Sequence, residues 1–446
     1  MQKNKNNYLL PILFASIMLS PNFKIISALP VFRFEDFMIV LFFALHFLKS
    51  IKGAQRKAYP SPINKVFKLL FFFMALSISM TELVHGIPII MRDWFILPQL
   101  IKYWLIFLLV KSIDIDEKKS KNFAYGILLV GAVMAFISFC QYFNLLGVNT
   151  WLTPIYQESE DAINSLIHRY GGSRVSGTSG NPNIFGYFIV CTTACIAGFL
   201  LHCPNRTSNT LYWLILCFIS IASLFTLSRT VIATMFLVNG TLIYFTIKYH
   251  KGGRAKVFNF FLAAGLAAFL FFNFFRTEGF IYRVSIENLQ TRGSYHARKR
   301  DFVQPFKKSL DSVALTILGQ GPSKATLRTD SHNDYGWFFQ RFGIVGLLLY
   351  VSLIVFPLKR AIRLYRFSTL WWQKFLSIAS ILVICNWALN GMALSFFKMP
   401  QMMSCSTFFI AIPYARWSYQ TIANYNSKIR KKGFANYARV GHYPGL

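Results

Sequence analysis

Long apolar runs separated by short polar stretches make up most of this chain. A helix needs about 20 apolar residues to cross a bilayer, and the runs near that length predict about twelve spans. The runs are continuously apolar, whereas the strands of a membrane barrel alternate, so the spans are predicted to be helices. The predicted spans lie at 9–28, 30–48, 66–84, 95–112, 122–146, 183–202, 210–226, 230–249, 257–275, 337–358, 374–395 and 401–417.

The composition agrees with this pattern. Hydrophobic residues are 54% of the chain and charged residues only 14%, which is far from the balance of a soluble globular domain. The apolar stretch 9–21 follows Lys3 and Lys5, as in a signal peptide, but no small-residue cleavage site follows it. We therefore interpret it as the first span of an all-α polytopic membrane protein in which residues 1–446 form one membrane domain.

Basic residues mark every second loop, and cytoplasmic loops are the ones that carry excess Lys and Arg. This alternation predicts that both termini are cytoplasmic. Much of the net charge of +31 is then a topology signal and a source of adhesion to anionic lipid, and we expect no nucleic-acid partner. The basic residues of the predicted inner loops are Lys49, Lys52, Arg56, Lys57, Lys118, Lys119, Lys121, Lys248, Lys251, Arg254, Lys256, Lys359, Arg360, Arg363, Arg366, Arg430, Lys431 and Lys432.

The same topology predicts two long outer segments, a first outer loop at 147–182 and a large basic outer loop at 276–336. The large loop has many arginines and lysines and few acids to balance them. Such a surface suits an anionic ligand, above all phosphate, because the arginine fork matches phosphate oxygens in pairs. Contact with anionic lipid headgroups is the alternative.

Several common kinds of site are missing from the sequence. The seven cysteines fall in or at the ends of predicted spans, so neither a disulfide framework nor a zinc-ligand spacing is indicated. The sequence also lacks a phosphate-cradling Gly-Lys-Ser/Thr loop, a dinucleotide-binding fingerprint and a Gly-x-Ser-x-Gly elbow. We expect no metal and no cofactor.

Three polar stretches lie on the predicted outer side. In the first, "RYGGSRVSGTSGNPNIFGYF" at 169–188, the glycines and the Asn-Pro-Asn predict a turn and a helix that begins at Asn183. Arg174 then lies beside a helix N-terminus, where backbone amides bind anions. A plain connecting loop is the alternative for this stretch.

The second stretch, "LFTLSRTVIATMF" at 224–236, has Ser228 and Arg229 between two apolar runs. An arginine at that depth is costly unless it pairs, although its side chain can also extend to the membrane surface. The third stretch, 328–350, has a cluster of polar and ionisable residues immediately before an apolar run. A Gly-Gln-Gly-Pro turn at 319–322 precedes it.

Together these stretches resemble the superfamily of O-antigen ligases and O-antigen polymerases. The resemblance rests on four motifs in order and covers roughly 170–360. The motifs are Arg-x-x-Gly-Thr-x-Gly-Asn-Pro-Asn at 174–183, Leu-Ser-Arg-Thr at 227–230, Gly-x-Gly at 319–321, and Asp-Ser-His-Asn-x-Tyr at 330–335 followed by Gly-Ile-Val-Gly.

The resemblance implies a GT-C-like glycosyltransferase in the bacterial cytoplasmic (inner) membrane, with its active site on the periplasmic side. Such enzymes move a glycan from undecaprenyl diphosphate to a sugar hydroxyl without a metal. We expect a polymerase of lipid-linked repeats, with a ligase to lipid A-core as the alternative. The implied partners are the lipid-linked glycan and membrane lipid, with chain-length regulator or flippase proteins as further candidates.

The resemblance also assigns roles to individual residues. Arg174 and Arg229, with Arg298 or its competitor Arg300, are expected to bind the diphosphate, and His332 is expected to be the base. Asp330 and Asp334 would orient or charge the imidazole, or one of them would itself be the base. The supporting residues are Gly177, Asn181, Asn183, Ser228, Gly319, Gly321, Asn333 and Tyr335.

A transporter or flippase of lipid-linked glycan is the alternative from another functional class. A coupled carrier should have acids or lysines deep inside its helices. From the sequence, only Lys102 lies clearly within a span, whereas Glu82 and Arg341 lie near span ends. The polar residues concentrate on the outer side, which favours glycosyl transfer.

Overall fold

The computed structural model describes residues 7–23, 32–51, 59–86, 88–156, 174–203, 209–249, 312–321, 331, 333–394, 397 and 399–423, with a few single residues elsewhere. Two-residue strands β1 (Asn22–Phe23) and β2 (Phe32–Arg33) pair antiparallel. Otherwise the regular structure is helical. The helices are α1 Leu9–Met18, α2 Phe34–Ile51, α3 Pro62–His85, α4 Ile96–Ser112, α5 Glu117–Tyr142, α6 Val148–Trp151, α7 Thr153–Tyr156, α8 Pro182–His202, α9 Asn209–Phe225, α10 Arg229–Tyr249, α11 Val313–Leu318, α12 Asp334–Phe367, α13 Trp371–Gly391 and α14 Pro400–Ala411.

Six helices in the described part are long and apolar enough to cross a membrane. Five lie within α3, α5, α8, α12 and α13, and the sixth, Asp93–Ser112, includes α4. Helices α1, α9 and α10 contain shorter apolar segments. These helices support the predicted multi-pass, all-α membrane protein. Twelve spans and a GT-C fold stay predictions, and the predicted span at 257–275 lies largely outside the described residues.

The first two predicted spans have different boundaries in the structure. The run at 9–28 is helical only to Met18, after which the chain enters the β1–β2 pair, and α2 begins at Phe34. Phe34 N–H donates to the Pro21 carbonyl at 3.3 Å, which closes this hairpin. The apolar run therefore continues past the end of α1 into strand β1.

Helix α8 forms the centre of the bundle, and it packs against α5, α9, α10 and α13. Its whole apolar segment is buried inside the protein, compared with 39% of the segment in α3. Small residues allow this close packing, as in many membrane bundles. A Cβ at Gly186 would lie 2.1 Å from the Val231 side chain of α10, and one at Gly198 would lie 3.0 Å from Ile378 of α13.

Helix α12 is broken at Gly343, where φ is +63° and ψ is −165°. The break frees backbone carbonyls, and the turn after α11 binds them. Gln320 N–H donates to the Gln340 carbonyl at 2.8 Å, and Gly321 N–H donates to the Arg341 carbonyl at 2.9 Å. Because lipid offers no hydrogen bonds, a helix break inside a membrane requires such protein partners.

The ends of the helices where α2, α8, α10, α12 and α14 begin form one face of the bundle, which we call the outer end after its side in the predicted topology. Contacts between these ends join helices that are distant in sequence. The Gln401 side chain of α14 donates to the Ser20 carbonyl at 3.5 Å, and Thr178 Oγ1, just before α8, donates to the Met18 carbonyl at 3.0 Å. The polar motifs therefore lie on a single face of the protein.

The joint between α11 and α12 generates a stability prediction. Replacing Gly343 by Ala places a Cβ within 2.2 Å of the Ile317 carbonyl oxygen and strains the left-handed backbone by about 1–3 kcal/mol. We expect the thermal-unfolding temperature in detergent to fall clearly. The matched control is Gly240→Ala in α10, where a Cβ meets nothing within 4 Å, and we expect that variant to unfold no earlier than wild type. Equal unfolding temperatures for the two variants would show that the close packing of α11 against Gly343 does not contribute to stability.

The two ends of α5 generate a topology prediction. Leu146, just beyond its C-terminus, is 94% exposed, and Lys118 in its first turn is also exposed. In cells opened only at the outer membrane, an impermeant thiol reagent should label Leu146→Cys and leave Lys118→Cys unlabelled. The unsubstituted protein gives the background from its seven cysteines, five of which are buried. Labelling of Lys118→Cys but not of Leu146→Cys would show that the protein has the opposite orientation to the predicted one.

Candidate functional site

Arg174 anchors the first motif to the short connection between α9 and α10. Its Nε donates to the Thr226 carbonyl at 2.9 Å, and the neighbouring Val175 N–H donates to the Phe225 carbonyl at 3.2 Å. The Arg174 side chain is half-buried. The first motif, at 174–183, therefore lies against the second motif, at 227–230, although about 45 residues of chain separate them.

Asn183 joins the same two motifs by its side chain. Its Oδ1 accepts a hydrogen bond from Ser228 Oγ at 2.8 Å and a longer one from Arg174 Nη2 at 3.4 Å. Ser228 is buried, and the next residue, Arg229, is half-buried at the first position of α10. Three predicted site residues are thus in contact, and the fourth, Arg229, follows Ser228 in the chain.

Two long helices begin at this place. Asn181 is the N-cap of α8, where its Oδ1 accepts the Asn183 N–H at 2.9 Å, and Pro182 is the first helical residue. Helix α10 begins at Arg229, directly after Leu227 with its positive φ of 48° and Ser228. The first turn of a helix carries partial positive charge, so two helix N-termini beside Arg174 suit an anion. In α8 this effect comes from the helix dipole more than from free donors, because Pro182 has no N–H and Asn181 binds the Asn183 N–H.

Gly177 has a steric reason to be glycine. Its φ is +54°, and a Cβ there would lie 2.0 Å from the Phe185 ring. Its N–H donates to Gln141 Oε1 at 2.8 Å, which ties the first motif to α5. Sequence reasoning missed Gln141, because a single polar residue near the end of an apolar run is not distinctive.

The third motif caps α12. The Asn333 side chain is the N-cap and accepts the Gly336 N–H at 2.6 Å. Ser331 and Asn333 are both buried and hydrogen-bonded to each other. Tyr335 OH donates to the Ala388 carbonyl of α13 at 3.0 Å. The described part of this motif therefore fastens α12 to α13.

Asp334 is fully buried in the same region. Its Oδ2 accepts from Tyr350 OH at 2.7 Å, and its Oδ1 accepts from the Phe397 N–H at 3.0 Å. Both carboxylate oxygens therefore hold the fold together at the outer end. This geometry favours a structural or orienting role for Asp334 over that of the base.

Four predicted site residues, Arg298, Arg300, Asp330 and His332, lie outside the described residues. Gly319 and Gly321 form the turn at the α12 break, where a Cβ at Gly319 would lie 2.4 Å from the Arg341 backbone. Their described contacts support α12 and do not include the arginines of the first two motifs. The structure thus unites motifs one and two, and attaches the Gly-x-Gly turn to α12.

Helix α13 lies between these two groups of motifs. Asn386 Nδ2 donates to the Tyr187 carbonyl of α8 at 3.4 Å, one turn beyond Asn183. Two residues further along α13, the Ala388 carbonyl accepts a hydrogen bond from the Tyr335 hydroxyl. Both motif groups are therefore built on the same rigid helix pair, α8 and α13.

A charged cluster at the outer end was not predicted. Lys102 Nζ of α4 lies 2.8 Å from Glu35 Oε1 and 2.8 Å from Asp36 Oδ1, both at the start of α2. Glu35 is fully buried, and Ser404 Oγ also donates to its Oε1 at 3.2 Å. Lys102 therefore has partners inside the protein. The signal in the sequence was two adjacent acids at the start of one span and a lysine within another.

Metal binding has no candidate site in the described ranges, where no group of three or more His, Cys, Asp or Glu side chains is placed to hold an ion. Because part of the large outer loop lies outside those ranges, the expected absence of a metal stays a prediction. The contacts of Arg174 and Ser228 with Asn183 are thus the part of the predicted site that rests on observed geometry.

Comparison with known proteins adds no relative. No protein-family model matches the chain, and no curated protein matches its sequence.

Proposed function

We propose that this protein polymerises undecaprenyl-diphosphate-linked oligosaccharide repeats into a surface polysaccharide by metal-independent glycosyl transfer at the outer face of a bacterial cytoplasmic membrane. One observation carries the proposal. The Arg174 and Ser228–Arg229 motifs, distant in sequence, meet through Asn183 at the N-termini of two long helices. This arrangement supports binding of a lipid-linked diphosphate, because it combines guanidinium groups with helix N-termini.

Glycosyl transfer demands two things of the protein. The departing diphosphate must be stabilised, and the acceptor hydroxyl must lose its proton. Arginines serve the first purpose because they stay charged and bind oxygens in pairs. His332 serves the second, because a neutral imidazole is a side chain that can accept a proton at neutral pH. Asp330 is the alternative base, since the described contacts of Asp334 are structural.

A transporter of lipid-linked glycan is the second candidate, because Glu35, Asp36 and Lys102 form a charged cluster among membrane helices. Charged residues inside membrane segments often belong to transport pathways. However, Lys102 pairs with Glu35 and Asp36 in the first turn of α2, and Ser404 of α14 donates to the same Glu35 carboxylate. The cluster therefore favours a role in joining α2, α4 and α14.

The glycan profile of a deletion strain tests the function. Without the polymerase, surface glycan should carry a single repeat, still attached to its final carrier. Long chains held on undecaprenyl diphosphate, with no attached glycan, would identify a ligase instead. Single repeats trapped on the cytoplasmic face of the membrane would identify a transporter. An unchanged profile would refute all three functions.

Purified variants separate donor binding from chemistry. Arg174→Ala and Arg229→Ala should each weaken donor binding about tenfold or more, since a hydrogen-bonded charge is lost. The Lys variants should recover part of the affinity, because lysine keeps the charge and lacks the fork. His332→Ala should keep donor binding and slow chain elongation about a hundredfold or more. The measurements are lipid-diphosphate affinity and elongation of lipid-linked repeats in detergent. Elongation by His332→Ala at the wild-type rate would remove it as the base.

A further inference from the structure

Asn183 makes the contacts that orient Arg174. Its side-chain oxygen accepts from Arg174 Nη2 at 3.4 Å and from Ser228 Oγ at 2.8 Å, which uses both lone pairs of the amide oxygen. The residue lies in the first turn of α8, whose apolar segment is entirely buried. The oxygen is therefore presented from the most enclosed helix of the bundle.

A second contact holds another edge of the same guanidinium group, because Arg174 Nε donates to the Thr226 carbonyl at 2.9 Å. The guanidinium is planar and rigid, so two contacts on different nitrogens determine the direction in which the group faces. An arginine that is free to move loses considerable side-chain entropy when it binds a ligand. Orienting it in advance reduces that loss.

We infer that Asn183 is a positioning residue that holds Arg174, and through Ser228 the start of α10 with Arg229, in the orientation that binds the diphosphate of the lipid-linked donor. The inference rests on the proposed function and adds a residue that acts through the arginines. Asn183 contacts both arginine-bearing segments at once, since Ser228 immediately precedes Arg229.

The amide is chemically suited to this role. A carboxylate at position 183 could accept the same two hydrogen bonds, but it would also neutralise the guanidinium and repel a phosphate. The neutral amide oxygen orients Arg174 and leaves its positive charge for the ligand. A purely structural role would tolerate aspartate at this position, whereas a positioning role for an anion-binding arginine would not.

The test measures the affinity of purified, detergent-solubilised full-length protein for undecaprenyl diphosphate. Asn183→Ala should weaken binding about tenfold, the scale expected for a hydrogen bond to a charged group. Asn183→Asp keeps the acceptor oxygens and should fold, yet it should weaken binding at least as much. In the double variant with Arg174→Ala, Asn183→Ala should cost a smaller factor in affinity than it does alone, because the part of its effect that acts through Arg174 is already lost.

A matched control is Asn122→Ala near the N-terminus of α5, where the Asn122 side chain donates to the Asn7 carbonyl at 3.4 Å. This variant should bind the lipid diphosphate as wild type does, and thermal unfolding of every variant reports its folding. If Asn183→Ala does not fold, Asn183→Asp decides alone.

The outcomes separate the inference from the function on which it rests. Wild-type affinity of folded Asn183→Asp overturns the inference, as do effects of Asn183→Ala and Arg174→Ala that multiply in the double variant. In those cases a loss of affinity in Arg174→Ala leaves the proposed function standing. Wild-type affinity of Arg174→Ala would overturn both.

Discussion

The lack of hydrogen-bonding partners in a bilayer governs the outer end of this protein. Every polar group that enters the membrane region there must find its partner within the chain. The carbonyls freed by the α12 break receive N–H donors from the turn at 319–321. Lys102 lies between two carboxylates, and the side chain of Asn333 caps α12. The polar motifs are therefore built into the fold, because the same bonds that satisfy them also connect helices that are distant in sequence.

The helical architecture was largely predictable from hydropathy, because apolar runs of membrane length have few other stable forms. The boundaries at α1 and α2 were not, since the sequence between these helices is itself rich in apolar residues and hydropathy does not distinguish it from a helix. The break at Gly343 was also missed. A glycine within an apolar run is common in membrane helices, and only the backbone geometry shows which one has a positive φ.

The site was predictable where local sequence determines local structure. Asn-Pro-Asn indicated the beginning of α8, and the Ser-Arg pair marked the turn before α10. The meeting of these two turns was an expectation of the family resemblance, and the Asn183 side chain gives it a physical cause. The pairing of Lys102 with Glu35 was not foreseen, because it depends on how α2 and α4 pack. Likewise, the burial of Asp334 depends on Tyr350 and Phe397, which lie far from it in sequence.

The complete enclosure of α8 affects how the site responds to its surroundings. A bilayer that is too thick or too thin acts on the helices that touch lipid, which respond by tilting or by drawing flanking side chains toward the surface. The apolar segment of α8 is fully covered by protein, so such forces reach it only through its neighbours. The first turn of α8, with Asn181 and Asn183, is thus insulated from membrane thickness. A glycan-assembly site built there would keep its geometry while the lipid composition around the protein changes.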